Sequence, residues 1–168
     1  IGQNEIEQDS LQENRGLAFK SRKKKILVLD EHTPQINGDS GSLRLFHLMK
    51  SLQKEDCDVH FLPANLDFIL EHTEALQQQA IACYYRPWTR SLFDWLTENA
   101  ARFDHIIVCR VSLMASIYDT LRIAAPKAKL IFDTVDLHHI REAQEAELSK
   151  SAPLARQARV AKEKEYAL

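Results

Sequence analysis

Apolar residues along this chain follow two alternating patterns. The first is a short unbroken run, as in Ile26-Leu27-Val28-Leu29, which reads as a strand buried on both faces. The second has helical spacing: from Ser42 to Leu52 the apolar positions are 45, 46, 48, 49 and 52, a stripe on one side of a helix. Between them lies a polar loop from Asp30 to Gly41 with Pro34, Gly38 and Gly41. The alternation then repeats. Cys57 to Pro63 reads as a second strand, stopped by the proline, and Phe68 to Gln79 as a second helix. Ala80 to Tyr84 is a third strand, broken by Arg86-Pro87-Trp88. Ser91 to Ala101 is a third helix expected to bury Leu92, Phe93, Trp95 and Leu96. Asp104 to Cys109 is a fourth strand, and Leu113, Met114, Ile117 and Leu121 mark a fourth helix ending near Pro126. Ala128 to Phe132 is a fifth strand, and Leu137 to Leu168 reads as helical with a break at Pro153.

Five strand–helix repeats with continuous apolar strands predict an α/β fold. It is a doubly wound, Rossmann-like, mostly parallel five-stranded sheet with helices on both faces. Right-handed crossovers leave few topologies, and the expected strand order is 3-2-1-4-5. Residues 1–24 read as a linker or upstream extension, and 25–168 as the domain. A long last helix with no sixth strand suggests a piece of a longer chain. The basic run Arg22-Lys23-Lys24-Lys25 is read as a solvated charge run ahead of a buried strand.

Composition narrows the function classes. The 168 residues suffice for one self-sufficient core. A net charge of −2 gives no reason to expect nucleic-acid binding. Cys57, Cys83 and Cys109 are an odd set without a C-x-x-C pair and read as reduced thiols, which points to the cytoplasm. No apolar run approaches the roughly 20 residues that span a bilayer.

Candidate chemistry collects where the strands end, because loops at the carboxyl edge of a parallel sheet share one rim. Asp30, Glu31 and His32 follow the first strand, Arg86 and Trp88 the third, and Arg110 and Ser112 the fourth. Asp133, Thr134, Asp136, His138, His139 and Arg141 follow the fifth. Asp39, Ser40 and Ser42 can cap the first helix, whose amides would favour an anion, and Gly38 and Gly41 would allow close backbone approach. Several named sites are excluded. There is no G-x-G-x-x-G, no P-loop and no nucleophile elbow. A phospho-receiver would need an Asp after the third strand and a Lys after the fifth, where Tyr85-Arg86 and Asp133-Thr134 stand. Adjacent histidines at 138 and 139 seldom reach one ion, so no metal site is expected.

Two segments carry a family likeness. Ile26-Leu27-Val28-Leu29-Asp30 with Asp39-Ser40-Gly41-Ser42-Leu43-Arg44, and Leu130-Ile131-Phe132-Asp133-Thr134-Val135-Asp136-Leu137-His138 with Arg141-Glu142, resemble the amino-terminal half of bacterial GT-B glycosyltransferases, close to family 4. Arg102-Phe103-Asp104 and Arg110 also fit. The resemblance implies a hexosyltransferase with two Rossmann-like domains, in surface-polysaccharide assembly. This domain would bind a saccharide or lipid-linked acceptor. A carboxyl-terminal domain of the same chain, outside these residues, would bind the nucleotide-sugar donor. Retention at the anomeric carbon is the implied outcome, with no cofactor or obligatory metal, in the cytoplasm or peripherally at the inner membrane. Ser40, Gly41 and Ser42 would lie near donor phosphates or acceptor with Arg44 as a charge partner, and Asp136 and His138 would reach the sugar. Where many members end the fifth strand in a His-Asp pair, this chain has Val135-Asp136. No catalytic residue is assigned. The competing expectation is a non-catalytic flavodoxin- or receiver-like binding module that works through protein contacts.

Overall fold

The computed structural model describes residues 22–134 together with positions 148, 156, 159, 160 and 163. Five parallel strands form one sheet: β1 (Lys25–Asp30), β2 (Asp58–Pro63), β3 (Ala82–Cys83), β4 (His105–Cys109) and β5 (Lys129–Asp133). Four helices connect them: α1 (Ser40–Lys54), α2 (Leu70–Gln77), α3 (Leu92–Asn99), followed by a 3₁₀ turn at Ala100–Arg102, and α4 (Val111–Ala124). The strand order is β3-β2-β1-β4-β5, as the alternation predicts. The helix expected over 137–168 lies outside the described residues except at those five positions, which are helical. The linker expected over 1–24 lies outside them up to position 21.

Alternation along the strands sends neighbouring side chains into two separate cores. Leu27, Leu29, Leu62, Ile106 and Val108 meet Leu96 of α3 and Leu113, Met114, Ile117 and Leu121 of α4. Ile26, Val28, Val59, Phe61, Ile107 and Cys109 meet Leu45 and Met49 of α1 and Leu76 of α2. Every apolar residue of β1 is buried because β1 is covered on both faces and paired on both edges.

Three details differ from the sequence reading. Phe93 is 48% exposed, because helical spacing puts Leu92, Trp95 and Leu96 on the core side of α3 and Phe93 off it. The second helix begins only at Leu70, after a cap position, Ile69, that has no capping side chain, and leaves Phe68 and Leu70 exposed. The third strand shrinks to Ala82–Cys83. Ala80 sits at φ 58 and Ile81 N donates to Leu76 O, so the chain there is closing α2 rather than extending.

Candidate functional site at the carboxyl edge of the sheet

The chain leaves β1 for β2 on one side and returns from β3 to β4 on the other. The crevice between the ends of β1 and β4 is therefore the point where the winding reverses, the place where such sheets take ligands. Two arginine–carboxylate pairs stand around it. Asp30 closes β1 and is only 6% exposed. Its Oδ1 accepts from Arg110 Nε at 3.1 Å and from the Glu31 amide at 2.7 Å. Burial pushes the Asp30 carboxyl above its ordinary range, and the neighbouring Arg110 charge opposes this without cancelling it. Burial alone would lower the Arg110 guanidinium, but Asp30, with Glu31 and Cys109 adding to it, raises it above its usual range. Across the rim, the Ser112 hydroxyl donates to the Glu31 carboxylate.

The second pair joins α1 to β5. Arg44 donates from Nη1 to Asp133 Oδ2 at 2.8 Å and from Nη2 to Asp133 Oδ1 at 2.7 Å, a two-pronged contact across 89 residues. That bond raises the Arg44 guanidinium above its usual range. Cys109 points its thiol toward the same carboxylate, with Sγ 3.9 Å from Asp133 Oδ2. Burial, and then Asp30 and Asp133, hold this thiol protonated.

Arg110 carries an unusual backbone. It caps α4 at φ 73 and ψ 129, a region that side-chain-bearing residues rarely adopt. The strain is stored where a strand turns sharply into a helix, and the turn aims the guanidinium back over Asp30.

At the start of α1 the expected cap is present and specific. Asp39 Oδ1 accepts from the Ser42 amide at 2.8 Å, and Oδ2 accepts from the Ser42 hydroxyl at 2.6 Å. These bonds hold the Asp39 carboxyl below its ordinary range. A carboxylate thus already occupies the positive end of α1. Ser40 and Gly41 form the first turn of the helix, and no glycine among the described residues has a left-handed φ. Gly38 is needed for space instead: a Cβ there would lie 2.9 Å from Gln35 Cβ.

The structure therefore gathers Asp39, Ser40, Gly41, Ser42, Arg44 and Arg110 on one rim; Asp136, His138 and Arg141 lie outside the described residues. The partners of the two arginines were legible only as polar strand ends. Asn65 and Asp67, on the loop after β2, were missed, although the same strand-end rule would have found them. Asn65 Nδ2 donates to His32 Nδ1 and to Asp67 Oδ2, both at 3.0 Å, and Arg86 Nη1 reaches Asp67 Oδ1 at 3.4 Å.

Around the crevice four carboxylates, Asp30, Glu31, Asp39 and Asp133, face two guanidinium groups, both paired. Such a rim is not a trap for a free multivalent anion. Each pair sets acceptor oxygens beside spare N–H donors, which suits a ligand rich in hydroxyls. Among the described residues no group of three or more His, Cys, Asp or Glu could hold a metal ion. None of their helices is long and apolar enough to cross a membrane.

Fold and rim together define a Rossmann-like parallel α/β domain with a polar crevice at its winding reversal. No family model, no curated protein and no solved structure matches this chain.

Proposed function

We propose that this chain is the acceptor-side domain of a glycosyltransferase, moving sugar from a nucleotide-sugar to a saccharide or lipid-linked acceptor. The observation that carries the reading is the crevice between β1 and β4, where buried Asp30 is matched to Arg110 and Arg44 to Asp133. Paired donors and acceptors of this kind recognise neighbouring hydroxyls of a sugar ring, and neutral pairing removes the pull toward a bare diphosphate. The donor diphosphate would belong to a second domain facing this rim. Closing the two walls would exclude water, which otherwise competes with the acceptor for the activated sugar. Spare N–H groups of Arg110 and Arg44 would then face the charge that develops on the leaving group.

Calorimetric titration of residues 1–168 with oligosaccharides and, separately, with nucleoside diphosphates tests the division of labour. The expected result is saccharide binding with little diphosphate binding; tight diphosphate binding with no saccharide binding overturns it. Sugar transfer from a panel of nucleotide-sugars is expected only when a donor-binding domain is joined to these residues. Robust transfer by residues 1–168 alone would overturn the reading as well.

A further inference from the structure

The polar rim does not stop at the crevice. Glu31, beside Asp30, accepts from the Asn65 amide through its backbone carbonyl at 3.2 Å, tying the loop after β2 to the loop after β1. From there an unbroken line of side-chain bonds runs outward, from His32 to Asn65, from Asn65 to Asp67, and from Asp67 to Arg86. Because the Asn65 amide nitrogen can only donate, His32 Nδ1 accepts, which leaves Nε2 as the ring's donor. Asn65 is locked further by its Oδ1, which accepts from the Asp67 amide at 3.1 Å. Two residues past Arg86, on the same loop after β3, Trp88 is 84% exposed.

An indole that open to water is costly, and two anchors hold it there. Before it, Arg86 N donates to Leu66 O at 3.0 Å; after it, Thr89 N donates to Tyr85 O at 2.9 Å, and Thr89 is buried. The ring is thus presented on a tied loop rather than on a loose tip. Leu66, which accepts the Arg86 bond, adopts a left-handed φ of 59, so strained backbone also supports this arrangement.

We infer that His32, Asn65, Asp67, Arg86 and Trp88 form a saccharide subsite that extends the acceptor crevice toward β3, so that the acceptor is an oligosaccharide rather than a single sugar. This rests on the sugar-transferase reading above. A flat, exposed apolar ring on the same loop as the guanidinium that closes this line of planar donors and acceptors matches a pyranose, which has an apolar face and a polar edge. The charge pattern selects this occupant over others. Arg86 is matched by Asp67, so the line offers neither the unpaired cations a phosphate needs nor the net positive charge that draws a protein to an anionic bilayer.

The test uses residues 1–168 and an array of neutral oligosaccharides of graded length, followed by tryptophan-fluorescence titration with the best-bound. Binding is expected to shift the emission of exposed Trp88, and W88A is expected to weaken the longer oligosaccharides roughly tenfold (about 1.4 kcal/mol) while leaving their shortest member unchanged. Asp67→Ala is expected to act the same way. Equal affinity of wild type and W88A for every length overturns the subsite, and with saccharide binding intact the crevice reading survives. Loss of binding to anionic vesicles in W88A, with oligosaccharide affinity unchanged, overturns it in favour of a membrane contact. Failure of the protein to bind any saccharide overturns both.

Discussion

At the residue scale the crevice turns on Asp30. Its carboxyl is raised above its unfolded value by burial. The folded state therefore holds the Asp30 proton more tightly than the unfolded chain does. As pH rises through the window between the unfolded and folded values, stability falls, and as pH drops through it the loss is regained. Asp39 has the opposite sign: its carboxyl is lowered by the Ser42 bonds, so its contribution disappears in acid. Asp30→Asn removes the first effect. The stability of D30N minus that of wild type should grow more positive as pH rises through the window, and denaturant titrations at a series of pH values measure it. A difference that shrinks with rising pH would contradict the burial account. Arg110 gives a second handle. Removing its side chain leaves Asp30 buried without its partner, at a cost of about 1–3 kcal/mol for this partly exposed pair. The left-handed backbone separates two replacements: Arg110→Gly should be more stable than Arg110→Ala by about 1 kcal/mol, since only alanine must keep a strained φ of 73. Melting curves showing alanine equal to or above glycine would mean that the strain is absent.

At the scale of elements, α1 and α2 end alike. In α1, Cys57 N reaches Leu52 O and Asp56 N reaches Gln53 O, with Asp56 at φ 57; in α2, Ile81 N reaches Leu76 O and Ala80 N reaches Gln77 O, with Ala80 at φ 58. This is the left-handed closure that normally takes glycine. Ala80→Gly should therefore stabilise the domain by up to about 1 kcal/mol, read as a higher midpoint in urea with unchanged slope. These same closures explain what the sequence left hidden. The alternation of runs and stripes marked all five strands and four of the helices, because burial on both faces leaves a periodic trace. It overran the third strand, because Ala80 and Ile81 look like strand residues but complete a helix end. It could not distinguish Phe93 from its buried neighbours without a fixed helix phase. The crevice was legible only in part. Strand-end position named Asp30, Arg110 and Asp133, and the family likeness named Arg44, but which arginine pairs with which carboxylate depends on β4 and β5 lying beside β1, a relation across 80 and 89 residues.

On the scale of the whole molecule, the sheet separates two cores that, among the described residues, share no helix. Met49 belongs to one and Leu113 to the other, so truncating them creates cavities with no common lining. Met49→Ala and Leu113→Ala should each cost about 2–5 kcal/mol, and the double variant should equal their sum to within about 0.5 kcal/mol. A departure larger than that would show that the strands transmit strain between the layers. The rim is different. It draws on α1, α4 and the ends of β1, β4 and β5, so substitutions there should couple across elements that the cores keep apart.

The central place of β1 also bears on how the protein is made. Ile26 pairs with Val59 on one edge and His105 on the other. During synthesis the first edge can be covered as soon as β2 emerges, but the second must wait until β4 has left the ribosome. For that interval a strand with four consecutive apolar residues shows bare amides and carbonyls to its surroundings, an invitation to pair with another nascent chain. Slowing translation while β2 has emerged and β4 has not should therefore raise dependence on chaperones, whereas a pause after β4 has emerged should not.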